Sequence, residues 1–246
     1  MVEWRAVRVL AVVPAYNEER SLASVVEAIR RHAPGVDVCV VDDGSTDATA
    51  EVARRLGALV LSSPLNLGIG GAVQLGYLWA RDRGYDVAVQ LDGDGQHDPS
   101  FLSAILEPVR AGRADLVVGS RFLSRGEGFR STLVRRAGIR YLSGLLRLRC
   151  GARVSDPTSG FRAAGRPVIE VFAASYPSDY PEPESIAVAA RRGMRVVEVP
   201  VRMSARAHGR SSITPLRTLY YLVKVSLSLV FLPSRDPHPD ELVSRA

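Results

Sequence analysis

Short apolar runs alternate with helical patterns over the first half of the chain. The apolar runs predict strands at 7–13, 36–41, 58–61, 86–91 and 116–118. Between them, apolar residues recur every three or four positions, which predicts helices at 19–32, 46–56, 70–83 and 100–111. Strands that are apolar throughout are typical of a mostly parallel sheet with helices on both faces. The pattern predicts an α/β fold that binds ligands outside the carboxyl ends of its strands.

The second half of the chain is less regular. Its pattern predicts helices at 131–149 and 181–192, a strand at 195–201 and a loop of glycines and charges at 124–130. No internal repeat or linker interrupts it. We therefore predict one domain over residues 1–213, a C-terminal amphipathic helix over 214–232 and a flexible tail over 233–246.

The 216–232 segment is the one candidate for membrane contact. It is largely apolar, but Lys224 lies in its middle. A membrane-spanning helix needs about 20 apolar residues, and a central lysine costs roughly 2.5–3.5 kcal/mol. Two interpretations stay open: a helix that lies on a membrane surface or a partner chain, as in a homodimer, or a helix docked on its own domain.

Composition excludes some classes of protein and charge favours others. With 46% hydrophobic and 24% charged residues, the chain is globular rather than disordered, collagen-like or coiled-coil. Its net charge of +6, carried almost wholly by arginine, favours anionic partners, although an arginine-rich solvated surface explains it equally well. Two cysteines, Cys39 and Cys150, make no disulfide framework, and the N-terminus lacks a signal peptide. These features predict a cytoplasmic location.

Acidic residues follow three of the predicted strands, in the segments 14–18, 42–47 and 92–98. Asp47 and Asp98 suit helix caps. Asp92 and Asp94 stand on either side of a glycine, so both carboxylates point the same way in an extended segment. Such a pair, with Gln96 nearby, suits Mg²⁺ or Mn²⁺ shared with substrate phosphates. Without a cation the two carboxylates would repel by roughly 4 kcal/mol at 4 Å and an effective dielectric constant near 20.

Two common nucleotide-binding motifs do not fit. The turn after the first strand has no G-x-G-x-x-G pattern, and no Walker lysine motif occurs. The glycines at 68–71 suit a tight loop that opens a helix, where backbone N–H groups can face a ligand.

Taken together, these segments resemble family 2 glycosyltransferases, and in particular the dolichyl-phosphate mannose synthase-like polyprenyl-phosphate sugar synthases. The matching stretches are 12–19, 40–47, 66–76, 90–99, 118–122, 156–162, 198–200 and 206–211. The resemblance implies a Rossmann-like GT-A fold and an inverting transfer of a sugar from a nucleoside-diphosphate sugar.

The resemblance also assigns roles to individual residues. For the nucleotide-sugar it implies Pro14, Ala15, Tyr16, Glu18 and Asp43 at the base and ribose, Arg121 and Arg206 at the phosphate oxygens, and also Gly70, Asp92 and Arg210. Asp92, Asp94 and Gln96 would hold the metal on the diphosphate. The chain departs from the family's phosphate loop at Ser212, where the family has lysine.

The acids near residue 180 leave the mechanism open. Asp94, Glu182 and Glu184 are the candidate catalytic residues. Glu182 falls where other members of the family have a general base, which a hydroxyl acceptor requires and an anionic phosphate acceptor does not. Glu182 and Glu184 also suit a simpler role as acids at a helix N-terminus.

The leading hypothesis is a metal-dependent glycosyltransferase with a lipid-phosphate acceptor, peripheral on the inner face of the plasma membrane. The first alternative is a saccharide hydroxyl acceptor in cell-wall or capsule assembly. The second is a non-catalytic nucleotide-sugar binder. Nucleic acid is not an expected partner, because the acidic cluster would repel its phosphates.

Overall fold

The chain forms a seven-stranded sheet with helices on both faces in the parts that the computed structural model describes, residues 7–123, 133–203 and 215–231. The strands are β1 Val9–Ala15, β2 Val36–Asp42, β3 Leu59–Ser62, β4 Val87–Gln90, β5 Leu116–Ser120, β6 Arg162–Gly165 and β7 Val196–Pro200. The helices are α1 Leu22–His32, α2 Thr49–Arg55, α3 Gly68–Asp82, α4 Leu102–Arg110, α5 Leu133–Cys150, α6 Arg166–Ala174, α7 Pro181–Arg191 and α8 Pro215–Phe231. A single 3₁₀ turn over Pro99–Phe101 precedes α4.

The sheet is mostly parallel, with the strand order β3-β2-β1-β4-β6-β5-β7. β1 pairs in parallel with β2 on one side and β4 on the other. β6 runs antiparallel to both β4 and β5. The loops after β1, β2, β4 and β5 therefore meet at one edge, where the sequence concentrates its acidic residues.

Alternation along β1 explains how one strand serves two cores. Leu10 and Val12 pack in the core that contains α3 and α6, whereas Val9, Ala11 and Val13 pack in the core that contains α1 and α4. Successive strand residues point to opposite faces, so a strand covered on both sides must be apolar at every position. All seven residues of β1 are buried.

The helices bury one face each, as α1 illustrates. Its buried residues Leu22, Val25, Val26 and Ile29 recur at helical spacing and cover the sheet. Its last turn, Arg30 to His32, is basic and complements the negative end of the helix dipole.

The predicted α/β class and mostly parallel sheet are confirmed, and two elements were missed. β6 and α6 had no predicted counterpart. The boundaries of the other strands and helices shift by a few residues. β1 continues through Pro14 and Ala15, which were predicted to follow the strand. The predicted loop at 124–130 and tail at 233–246 lie outside the described residues.

The C-terminal helix α8 packs against α5 and α7. Val225 and Leu229 are buried in the core, and the Lys224 ammonium pairs with Asp179. Arg149 of α5 and Arg191 of α7 donate hydrogen bonds to the carbonyls of Val230 and Leu229, 2.7 and 3.2 Å away. These donors satisfy carbonyls that the last turn of a helix leaves unpaired. Among the helices of the described ranges, none is both long and apolar enough to cross a membrane.

Close packing of α3 on β1 gives a stability prediction. A methyl group added at Gly76 would overlap Cγ1 of Val12 and lie 2.9 Å from its Cγ2. Val12 is 1% exposed and β-branched, so it has little room to move. We expect Gly76→Ala to lower the free energy of unfolding by about 1–3 kcal/mol, measured by urea denaturation.

Gly144→Ala is the matched control, because no atom lies within 4 Å of a methyl group added at this helical glycine. It should stabilise the protein by about 0.5–1 kcal/mol through helix propensity alone. Equal midpoints for the two variants would contradict the proposed packing.

Candidate active site

The loops that follow β1 and β2 are tied to each other. The backbone N–H of Asn17 donates to Oγ of Ser45 at 3.0 Å, and Oδ1 of Asn17 accepts from the N–H of Thr46 at 2.8 Å. Asn17 adopts φ 55°, in the left-handed region that asparagine tolerates better than most residues. The N–H of Glu18 donates to Oγ1 of Thr49 at 2.8 Å. These hydrogen bonds fix the positions of the two loops relative to each other.

The residues assigned to the base and ribose differ in solvent exposure. Pro14 and Ala15 are buried in β1, whereas Tyr16 is 48% exposed at the carboxyl edge of the sheet. Oε2 of Glu18 accepts a 2.6 Å hydrogen bond from the Ser21 hydroxyl at the start of α1. Tyr16 is therefore the member of this set whose ring is open to a ligand. The nucleotide roles of all four stay predictions.

Asp43 anchors the helix that follows β3. It is 3% exposed, and its two carboxylate oxygens accept hydrogen bonds from the N–H groups of Leu67 and Gly68, at 2.7 and 2.9 Å. These donors open α3, where helical N–H groups lack intrahelical partners. The structure thus gives Asp43 a definite role in shaping the site, and direct contact with the nucleotide stays a prediction.

Gly70 is required by close backbone contact. A methyl group there would overlap the carbonyl oxygens of Pro177 and Ser178. The first turn of α3 and the segment that leads into α7 therefore lie directly against each other. This packing explains the glycine without a ligand, and its place in a nucleotide-sugar site stays a prediction.

Asp92, Asp94 and Gln96 form a tight turn after β4. The Asp92 side chain is 33% exposed, whereas Asp94 is 4% exposed. Oδ1 of Asp94 accepts from the N–H of Gln96 at 2.9 Å, and Gly95 adopts φ 76°. The turn leaves the Asp92 carboxylate partly exposed and the Asp94 side chain buried.

His97 holds this turn in place and was missed as a site residue. Its Nδ1 accepts from the N–H of Asp92 at 3.0 Å, so a neutral ring carries its proton on Nε2. The ring is 4% exposed and stacks on Phe161 with centroids 5.1 Å apart. A lone histidine in a polar segment carries no signal of such packing in the sequence.

The segment before β6 lies against the other side of Asp92. A methyl group added at Gly160 would sit 3.4 Å from both Asp92 carboxylate oxygens and 3.2 Å from Nε2 of Gln90. Asp92 is thus confined between the turn of its own strand and the segment that leads into β6.

The donor set of this turn is compatible with a hard divalent cation whose coordination other ligands would have to complete. In the described part of the chain, no three His, Cys, Asp or Glu side chains come together as a ready-made metal site. Two carboxylates and the Gln96 carbonyl would leave the remaining positions of an octahedral ion for water and phosphate oxygens. Mg²⁺ and Mn²⁺ are commonly bound in this way beside substrate phosphates.

Arg121 forms a buried ion pair where β5 ends. Its Nε and Nη2 donate to the two carboxylate oxygens of Asp156, each at 2.6 Å, and its Nη2 also donates to Thr158 at 2.8 Å. The Arg121 side chain is 5% exposed and Asp156 is fully buried. Arg121 therefore fixes the shape of the site, and its predicted contact with phosphate oxygens stays a prediction.

Glu198 of β7 completes this network. Its carboxylate accepts from the N–H groups of Ser155 and Asp156, at 2.7 and 2.8 Å. No role was predicted for Asp156 or Glu198 from the sequence, although both lie in stretches that match the family. Their partners are 35 to 43 residues away, so local spacing gives no signal of the contact.

Glu182 and Glu184 face different neighbours from the first turn of α7. Burial raises the pKa of the partly buried Glu182, against the lowering effect of Arg162, and the Asp92 charge adds to the rise. Burial also raises the pKa of Glu184, which a hydrogen bond with Ser228 of α8 opposes. The structure thus brings Glu182 into the electrostatic field of Asp92 and turns Glu184 toward α8. The catalytic roles of Glu182, Glu184 and Asp94 stay predictions.

Arg206 and Arg210, two residues predicted to bind the nucleotide-sugar, lie outside the described residues, as does Ser212.

Comparisons with known proteins agree with this geometry. The model of glycosyl transferase family 2 matches residues 10–172. The chain is 36% identical to undecaprenyl-phosphate mannosyltransferase of Micrococcus luteus over 84% of this chain and 88% of that protein. It is 34% identical to polyprenol monophosphomannose synthase of Mycolicibacterium smegmatis over 84% of this chain and 81% of that protein.

A solved structure gives a similar result. Glucosyl-3-phosphoglycerate synthase from Mycobacterium tuberculosis, in complex with Mn²⁺, uridine diphosphate and glucosyl-3-phosphoglycerate, superimposes with a TM-score of 0.69 at 25% identity. The match covers 94% of this chain and 81% of that chain.

The buried ion pair at this site gives a second stability prediction. Asp156→Asn removes one charge and leaves the Arg121 guanidinium buried without its counter-ion. We expect the free energy of unfolding to fall by about 3–5 kcal/mol in urea denaturation.

Asp115→Asn is the matched control. Asp115 accepts from the N–H, Nε and Nη2 of Arg195 in the same pattern, but that pair lies at the surface. Solvent screens its charges, so the loss should be markedly smaller. A control that loses as much stability as Asp156→Asn would show that burial of the Arg121 pair is unimportant.

Proposed function

The chain belongs to glycosyl transferase family 2, and we propose that it transfers a sugar from a nucleoside-diphosphate sugar to a polyprenyl phosphate, with inversion at the anomeric carbon and with Mg²⁺ or Mn²⁺. The observation that carries the proposal is the Asp92–Asp94 turn, which presents a partly exposed carboxylate at the carboxyl edge of the sheet, within the electrostatic field of Glu182. The relatives named for undecaprenyl-phosphate and polyprenol substrates support the acceptor.

The donor would lie across the loops after β1, β2 and β4. Tyr16 offers an exposed ring to the base, and the N–H of Asp43 donates to the carbonyl of Ala15, the residue before Tyr16, at 2.9 Å. Asp92, Asp94 and Gln96 would hold the ion on the diphosphate, and the ion would offset the charge that develops on the leaving group. The solved neighbour with Mn²⁺ and uridine diphosphate supports this arrangement.

Arginines near the site suit an anionic acceptor. Desolvation lowers the pKa of Arg135, the positive charge of Arg121 lowers it further, and the Asp156 carboxylate opposes both effects. The two guanidinium groups carry one more charge than Asp156 balances, which favours an anionic ligand nearby. A phosphate acceptor carries such a charge and needs no general base, so the site would have to orient its oxygen rather than deprotonate it.

A lipid acceptor also suits the surface of α5 and α8. α8 exposes Tyr220, Val223, Leu227 and Phe231, which recur at helical spacing. The neighbouring α5 exposes Leu148 and carries arginines in its last turn. Such a surface suits an anionic leaflet, where each arginine contributes about 1 kcal/mol. We propose that this face meets the inner side of the plasma membrane.

A saccharide hydroxyl is the second candidate acceptor. The raised pKa of Glu182 favours it, because a carboxylate with a higher pKa is a stronger base.

The metal role is tested by Asp94→Asn. Removing one stabiliser of developing charge typically costs about 10²–10³-fold in rate, so we expect a loss of that size in nucleoside-diphosphate release with Mn²⁺ and a polyprenyl phosphate. Asp98→Asn is the control, since Asp98 accepts from the N–H of Ser100 as a cap of the 3₁₀ turn. Full activity in Asp94→Asn would refute the metal role.

The acceptor class is tested by Glu182→Gln, assayed with a polyprenyl phosphate and with saccharide acceptors. A phosphate acceptor predicts less than about a tenfold change in kcat, because no proton has to be removed. A loss of about 10²–10⁴-fold, confined to transfer to a saccharide, would favour the hydroxyl acceptor.

A further inference from the structure

Arg162 places a buried positive charge within the sheet, at the start of β6. It is the first residue of β6, pairs in register with Gln90 of β4 and Val118 of β5, and is 0% exposed. Arginine is almost never fully buried unless it is paired, because taking its charge out of water is costly. The site described above uses Arg121 and leaves this guanidinium without a role.

Three hydrogen bonds join Arg162 to two separate segments. Its Nε donates to the carbonyl of Ser159 at 2.7 Å, and its Nη2 donates to the carbonyl of Pro157 at 3.3 Å. Its Nη1 donates to Oγ of Ser185 at 2.5 Å, and that hydroxyl donates to the carbonyl of Glu182 at 3.1 Å. The planar guanidinium group therefore links residues 157–159 to Ser185, whose hydroxyl contacts the first turn of α7.

The 157–160 segment contacts the proposed donor site directly. Gly160 lies against the Asp92 carboxylate, and the residue before the segment, Asp156, holds Arg121. A shift of this segment would therefore move the surroundings of both side chains at once.

The Arg162 charge also acts on the first turn of α7. It opposes the rise that burial causes in the pKa of Glu182, while Asp92 adds to that rise. Its hydrogen-bond acceptors within the described residues are all neutral oxygens, so Glu182 is a through-space counter-charge rather than a contact partner.

The geometry points to Arg162 as a positioning residue, which holds the segment beneath Asp92 and the first turn of α7 at a fixed separation across the site. Transfer requires the donor corner and the acceptor side to be aligned, and a displacement of about 1 Å can cost about 10²-fold in rate. The base and ribose of the donor would rest on the loops after β1 and β2, which Arg162 does not contact, so a small shift near Asp92 should change alignment more than donor affinity. The inference rests on the proposed function for its activity readout alone.

Two variants test this inference. Arg162→Lys keeps the charge but loses the branched guanidinium group, and Ser185→Ala removes the hydroxyl that joins Arg162 to the carbonyl of Glu182. We expect kcat for transfer to a polyprenyl phosphate to fall about 10- to 100-fold in Arg162→Lys and less in Ser185→Ala, with the donor KM within about twofold of the wild type. Hydrogen exchange should quicken at 157–160 and 181–186 in both variants, while β1–β3 keep their protection.

Ser24→Ala is the matched control, because Oγ of Ser24 also donates to the carbonyl three residues earlier. It should leave kcat and the exchange pattern unchanged. Wild-type kcat in Arg162→Lys, or exchange that rises equally across β1–β3, would overturn the positioning role. A wild-type enzyme that transfers nothing to a polyprenyl phosphate would refute the proposed acceptor instead, and the exchange experiment would still decide the role of Arg162.

Discussion

The proposed site depends on one constraint: two acidic side chains, Asp92 and Asp94, are held in one turn at the end of the buried strand β4. The Gly93 N–H donates to the carbonyl of Pro14 at 3.2 Å, and a methyl group at residue 93 would lie 3.1 Å from that oxygen. The turn is therefore pressed against β1, with Asp92 and Asp94 on either side of the contact. A cation that arrives with an anionic substrate would stabilise carboxylates fixed in this way, and the proposed chemistry depends on that stabilisation.

Buried polar contacts hold this turn in place. His97 holds the backbone of Asp92 from one side, and Gly160 confines its carboxylate from the other. The buried pair of Arg121 and Asp156 continues the frame across β5. Removing one partner of a buried pair lowers the stability of the protein. The intact pair fixes the geometry that a reaction needs.

The sequence predicts the elements best where one physical signal dominates. β1 and β2 are recognisable because burial on both faces demands apolar residues at every position. β6 reads Arg-Ala-Ala-Gly, with no β-branched residue, and forms a strand only because β4 and β5 flank it. Its buried arginine contradicts the usual expectation for a core strand, and tertiary hydrogen bonds alone explain it.

The site could also be predicted only in part. The Asp92–Gly93–Asp94 spacing can be recognised in the sequence, but the neighbours of each acid depend on the fold. Glu182 and Glu184 are two residues apart in a helix of 3.6 residues per turn, so they point in nearly opposite directions once α7 forms. Gly70 and Asp43 belong to stretches that resemble a nucleotide site, yet backbone packing and helix anchoring already account for their identities.

The most direct measurement is a crystal structure of the protein with Mn²⁺ and a nucleoside-diphosphate sugar, with the metal located by anomalous scattering. We expect an ion bonded to carboxylate oxygens of Asp92 and Asp94 and to the diphosphate. A diphosphate bound elsewhere, with no ion at these two aspartates, would contradict this expectation.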